Sequence, residues 1–119
     1  MLSDRATLVT GFSPAALPEA MNAAGGPFDL VLIDGDHTRA GVLRDADGVL
    51  PFVASGASLL FHDCHNPDVR NGIDDFARRH ANRLADAGPL TREITLHQNP
   101  DGSTTPWGGL RLIEVRGRQ

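Results

Sequence analysis

Two apolar runs that stop abruptly at acid and imidazole dominate the hydrophobic pattern. Leu30-Val31-Leu32-Ile33 runs into Asp34-Gly35-Asp36-His37, and Leu59-Leu60-Phe61 runs into His62-Asp63-Cys64-His65. Short uninterrupted apolar runs read as strands buried on both faces, as in parallel sheets. Elements alternate around them. Ala6 to Thr10 predicts a short strand. Ser13 and Pro14 then suit the N-cap and first position of a short helix. A Gly-rich turn over 23–27 leads into a strand from Phe28 to Asp34. Thr38 is placed to cap a helix over 39–52, with Val42, Leu43, Ala46, Val49 and Leu50 facing inward. Ala57 to His62 is the third strand. Asn66-Pro67-Asp68 opens the most regular helix, in which Ile73, Phe76, Ala77, His80, Ala81 and Leu84 recur at three and four residues. Gly88-Pro89 ends it. Thr91 to His97 predicts a strand, 99–106 a polar loop, and Gly109 to Val115 a last strand. This order, β-α-β-α-β-α-β-β, predicts an α/β domain with a parallel sheet and an antiparallel hairpin at its edge.

Composition narrows the classes. With 119 residues the chain is one domain, and a net charge of -4 leaves no footprint for nucleic acid or an anionic membrane. All 11 basic residues are arginine and they are scattered apart from Arg78-Arg79. A single cysteine excludes an internal disulfide and fits a reducing compartment. The absence of a long apolar stretch and of a signal peptide leads us to expect a soluble cytoplasmic protein.

In an open α/β sheet, ligands bind beyond the carboxyl ends of the strands. The two central strands would deliver Asp34, Asp36 and Asp63, with His37, His62 and His65, to one crevice. Strand alternation sends His62 and Cys64 one way and Asp63 the other. On that basis His62 reads as a histidine packed at the core edge and Cys64 as a small buried hydrophobe. His80, on the apolar helix stripe, reads as structural.

DLVLIDGDHTRAGVLRD, GASLLFHDCHNPDV and the final WGGLRLIEV resemble the second half of class I S-adenosylmethionine-dependent methyltransferases. The similarity is greatest to small bacterial O-methyltransferases whose fourth strand ends in Asp-Gly-Asp-His and whose fifth ends in His-Asp. The resemblance spans about Ala6 to Val115. It implies a three-layer Rossmann-like sheet ordered 3-2-1-4-5-7-6, of which this chain supplies strands 3 to 7 as a single partial domain. Strands 1 and 2 are missing, and with them the Gly-rich cofactor loop; Gly25-Gly26 and Gly108-Gly109 do not fit it.

The resemblance also implies roles. S-adenosylmethionine would meet Gly11, Phe12, Asp34, Gly35, Asp36 and His37, with Phe12 near the adenine. His37 would act as general base toward a hydroxyl, a role that suits imidazole, with Asp34 beside it and His65 in reserve. Asp34 and Asp63 stand where metal-dependent relatives hold a cation, and two carboxylates suit Mg²⁺. Cys64 takes the place of their next oxygen ligand. Trp107 would wall a pocket for a small hydroxylated metabolite or sugar. Loss of strands 1 and 2 leaves the fourth strand as an apolar edge, which predicts a homodimer or a partner chain covering it. A non-catalytic remnant, serving as a binding or oligomerisation module, is the alternative.

Overall fold

The computed structural model describes residues 9–11 and 13–117. Its elements are α1 (Leu17–Ala24), β1 (Phe28–Ile33), α2 (Arg39–Val49), β2 (Val53–His62), α3 (Pro67–Arg79), β3 (Leu84–Pro89), β4 (Thr95–Gln98), β5 (Thr104–Trp107) and β6 (Leu110–Val115). A short 3₁₀ turn, Leu50–Phe52, joins α2 to β2. Four strands form a mixed sheet in the order β1-β2-β6-β3. β1 and β2 run parallel, and β6 lies antiparallel between β2 and β3. β4 and β5 make a separate two-stranded ribbon.

Strand register explains which face is buried. Val31 pairs with Leu59, and Leu59 with Ile113, so one apolar row crosses three strands. Leu59, Phe61, Ile113 and Val115 meet Val42, Ala46 and Val49 of α2 and Val69, Ile73 and Phe76 of α3 in the core. Both crossovers, β1 to β2 and β2 to β3, advance in the same direction across the sheet. Right-handed connections then put α2 and α3 on the same face. Thr38 caps α2 by accepting the Gly41 N–H at 3.0 Å, and Asn66 caps α3 through Asp68 and Val69.

Among the described residues, no helix covers the other face. The next row, Leu32–Leu60–Leu112, points away from the helices. Leu30 and Leu32 are 64% and 59% exposed. The expected three layers are therefore two among the described residues: a layer on this face needs strands added in the opposite direction, and none are described here.

Other expectations need correcting. The regular helix stops at Arg79, and Leu84 begins a strand. His80 closes α3 by bonding Asp47 Oδ1 through its ring at 2.7 Å. Leu84 to Pro89 then finds backbone partners on β6, and Arg111 bonds Asp86 from that strand at 3.2 Å through Nε. An apolar spacing of three and four residues across the turn mimicked a longer helix until sheet pairing overrode it. Consequently β3, not the segment Thr91 to His97, is the sheet neighbour of β6. The expected loop holds over 99–103 as the turn between β4 and β5, while Thr104 to Pro106 already belong to β5. Ser13 does not cap α1, whose N-cap is Ala16 with no side-chain bond. Of the expected strand Ala6 to Thr10, residues 6–8 lie outside the described residues, and Val9 and Thr10 are not in a strand.

Candidate active site

β1 ends at Ile33 and β2 at His62, side by side, so their following residues share one rim of the sheet. Asp36 shapes the first rim turn. Its Oδ1 accepts the Thr38 N–H at 2.9 Å, and this bond, with the Thr38 side chain, lowers the carboxyl below its usual range. A Cβ on Gly41 would come within 2.4 Å of the Asp36 carboxyl, so helix α2 seats this turn closely.

The second rim turn is bent at Asp63. Its φ of 61° places a non-glycine residue in the left-handed region, which Asp tolerates better than most. The bend breaks the strand alternation expected for 62–64. Asp63 N–H bonds the Gly109 carbonyl at 2.9 Å, and Asp63 Oδ1 accepts the Gly108 N–H at 2.9 Å. Asp63 Oδ2 is left facing two imidazoles, His37 Nε2 and His62 Nδ1, each at 3.0 Å. His62 Nδ1 also lies 3.3 Å from Asp34 Oδ1, and His37 Nε2 lies 3.7 Å from it. His62, expected in the core edge, is thus exposed and turned toward the acids. The rings of Trp107 and His37 meet nearly at right angles, with centroids 5.2 Å apart.

The structure brings Asp34, His37 and Asp63 together, with donor atoms within 4.8 Å of one another. His62 lies outside that group but reaches both Asp34 and Asp63, although sequence alternation argued otherwise; the signal that could have found it is its place between an apolar strand and Asp63. His65 does not join. Its Nε2 bonds the Thr91 carbonyl at 2.9 Å and its ring is wedged against Gly109, which makes it a brace for the segment leading to the ribbon. Cys64 is buried, and desolvation pushes its thiol above the usual range. Gly11 is exposed, and Phe12 lies outside the described residues.

A cavity of about 320 Å³ opens beside the rim, lined by Ser13, Leu17, Val31, Leu32, Ile33, Asp34, Gly35, Asp45 and Val49. Burial raises the Asp45 carboxyl there, although Arg44 opposes the shift. Asp34 and Gly35 belong to both the cavity wall and the rim.

Residues 1–64, just over half of the chain, match the family model of a methyltransferase domain. The chain belongs to this methyltransferase family. No curated protein matches the sequence significantly. Solved structures agree with the family's fold. An O-methyltransferase from Bacillus cereus in complex with SAH superposes with a TM-score of 0.62 at 19% identity, over 97% of this chain and 52% of that one. A precorrin-6y C5,15-methyltransferase from Geobacter metallireducens gives 0.58 at 16% identity, over 93% and 53%. The O-methyltransferase TomG from Streptomyces achromogenes, involved in tomaymycin synthesis and solved with SAM, gives 0.54 at 18%, over 90% and 48%. The chain spans about half the length of these structures, and its mixed sheet resembles part of the methyltransferase Rossmann-like fold. No helix among the described residues is long and apolar enough to cross a membrane.

Proposed function

We propose that this methyltransferase domain contributes the acceptor side of an S-adenosylmethionine-dependent O-methyl transfer site, acting on a small hydroxylated metabolite or sugar. The observation that carries this reading is the convergence of Asp34, His37, His62 and Asp63 on one rim, next to an apolar cavity that shares Asp34. In the family's strand order, β1-β2-β6-β3 would stand for strands 4-5-7-6. The cavity volume falls in the range of small-molecule sites, and its mix of aliphatic walls with a few polar groups suits a flat base carrying a polar sugar. S-adenosylmethionine, when bound, supplies a methyl group on a positively charged sulfur.

The chain's own residues supply position and proton transfer. Asp34, Gly35 and Asp36 would form one wall of the cofactor site, with Ser13 and Leu17 also lining the cavity. Trp107 and the ribbon limit the acceptor's approach to His37. The imidazole–carboxylate cluster would receive the hydroxyl proton as the oxygen attacks, with Asp63 orienting both rings. The loop gripping the methionine part must come from outside the described residues.

Isothermal titration with S-adenosylhomocysteine tests the proposal. Saturable heat at one site per chain is expected, weakened by Asp34→Ala. Absence of heat up to millimolar ligand would remove the cofactor reading.

A second reading draws on the bare leucine face. An exposed apolar edge strand is a template for self-pairing, and a two-fold contact presents the same patch from both copies. We therefore propose that a second copy covers β1. Light scattering should return a dimer for the native chain and a monomer for Leu32→Asp. A native monomer at high concentration rules this out.

A further inference from the structure

Asp45 is an acid that the rim cluster does not use. It lies on α2 and lines the cavity of about 320 Å³ together with the aliphatic Leu17, Val31, Ile33 and Val49. Its side chain is 12% exposed, against 46% for Asp34 on the more open rim. The carboxylate stands directly against the turn that follows β1. A Cβ on Gly35 would fall 2.9 Å from Asp45 Oδ2, so a residue without one lets the acid approach the turn this closely.

A carboxylate among aliphatic walls is costly unless hydrogen-bond donors meet it. Among the described residues, none donates a hydrogen bond to Asp45. Its nearest cation, Arg44 Nε, stands 3.8 Å from Oδ1, too far for a hydrogen bond, and the same guanidinium reaches Asp36 at 3.6 Å. Desolvation is accordingly the largest influence on the Asp45 carboxyl and raises it; Arg44 opposes the rise and Asp36 adds to it. An ionised carboxylate only accepts hydrogen bonds, so the partner this one lacks is a donor.

Adenine carries such a donor, its exocyclic amine, on a flat ring whose faces suit aliphatic walls. The ribose hydroxyls are donors too, but exposure increases from Asp45 to Asp34. That gradient places the base in the enclosed, aliphatic part of the cavity and the sugar toward the rim.

We propose that Asp45 accepts a hydrogen bond from the adenine amine and thereby gives the cavity its preference for adenine over a base with a carbonyl at that position. This rests on reading the cavity as the cofactor site. A carbonyl there would set two acceptors face to face, an arrangement that rejects the wrong base as well as favouring the right one.

The test is calorimetric titration of the chain with S-adenosylhomocysteine and with its inosine analogue, in which a carbonyl replaces the amine. The native chain should bind S-adenosylhomocysteine about tenfold or more tightly than the analogue, the scale of a hydrogen bond to a charged group. Asp45→Ala should bring the two affinities within about threefold of each other. Asp45→Asn should do the same while keeping the side chain's shape, because an amide can donate to the carbonyl or accept from the amine. Asp29→Asn, on an exposed position of β1 outside the cavity, should leave the preference intact. The ratio of affinities is the readout, since a variant that only loosens the fold weakens both ligands alike. Circular dichroism confirms that each variant folds. A native chain that binds both ligands equally, or an Asp45→Ala variant that keeps the full preference, overturns the role of Asp45 and leaves the cofactor reading standing. A native chain that binds neither ligand removes the cofactor reading and this one with it.

Discussion

Phe76→Ala should weaken the fold by about 3–5 kcal/mol, the usual range for deleting a buried aromatic ring. Phe76 is fully buried on α3. Its ring lies 6.0 Å from that of Phe61 on β2 and 5.2 Å from that of His80, centroid to centroid. It therefore joins the sheet, the helix layer and the turn that starts β3. Among the described residues the sheet has one covered face, so this core has no second described layer to share the loss. A domain of this length has about 6–18 kcal/mol of stability in all, and the substitution removes a large part of it. Urea unfolding followed by circular dichroism measures the change. A loss below about 1 kcal/mol would mean that the helix layer is not what holds the sheet.

Asp63→Asn should keep the fold and lose the chemistry. Asparagine tolerates the left-handed backbone at this position, and its amide oxygen can still accept the Gly108 N–H. What disappears is the negative charge facing His37 and His62 at 3.0 Å. Turnover, followed as release of S-adenosylhomocysteine with a panel of hydroxylated acceptors, should fall by about 10²-fold or more, the scale of a lost proton-transfer group. Asp63→Ala should do the same and also lose stability, because alanine meets the left-handed backbone at roughly 1–2 kcal/mol. Full turnover in the asparagine variant would separate the cluster from the reaction.

The apolar runs made β1 and β2 legible, and the residues at their ends made the rim legible. Asp34, His37 and Asp63 converge because parallel neighbouring strands end at the same edge. The caps at Thr38 and Asn66 were readable because each is a short polar side chain just before a helix. His62 was hidden, because the left-handed turn at Asp63 breaks the alternation used to aim it. His65 looked available in sequence, but its partner is a backbone carbonyl, Thr91, which no residue type announces. The end of α3 was missed because Ala81 and Leu84 continue its spacing, while Ala81 falls in a turn and pairing with β6 decides the structure at Leu84. The bare face is invisible in local pattern: Leu30 and Leu32 look like core, and only the direction of the crossovers shows which side the helices take.

The central claim, that the ends of β1 and β2 face the cofactor, is tested most directly by mapping amide shifts of the ¹⁵N-labelled chain during titration with S-adenosylhomocysteine. The account predicts shifts concentrated at Asp34, Gly35, Asp36 and His37 and around the cavity at Ser13 and Leu17, with the Arg78 to Arg83 surface unmoved. Saturating shifts elsewhere, with the rim silent, would contradict it.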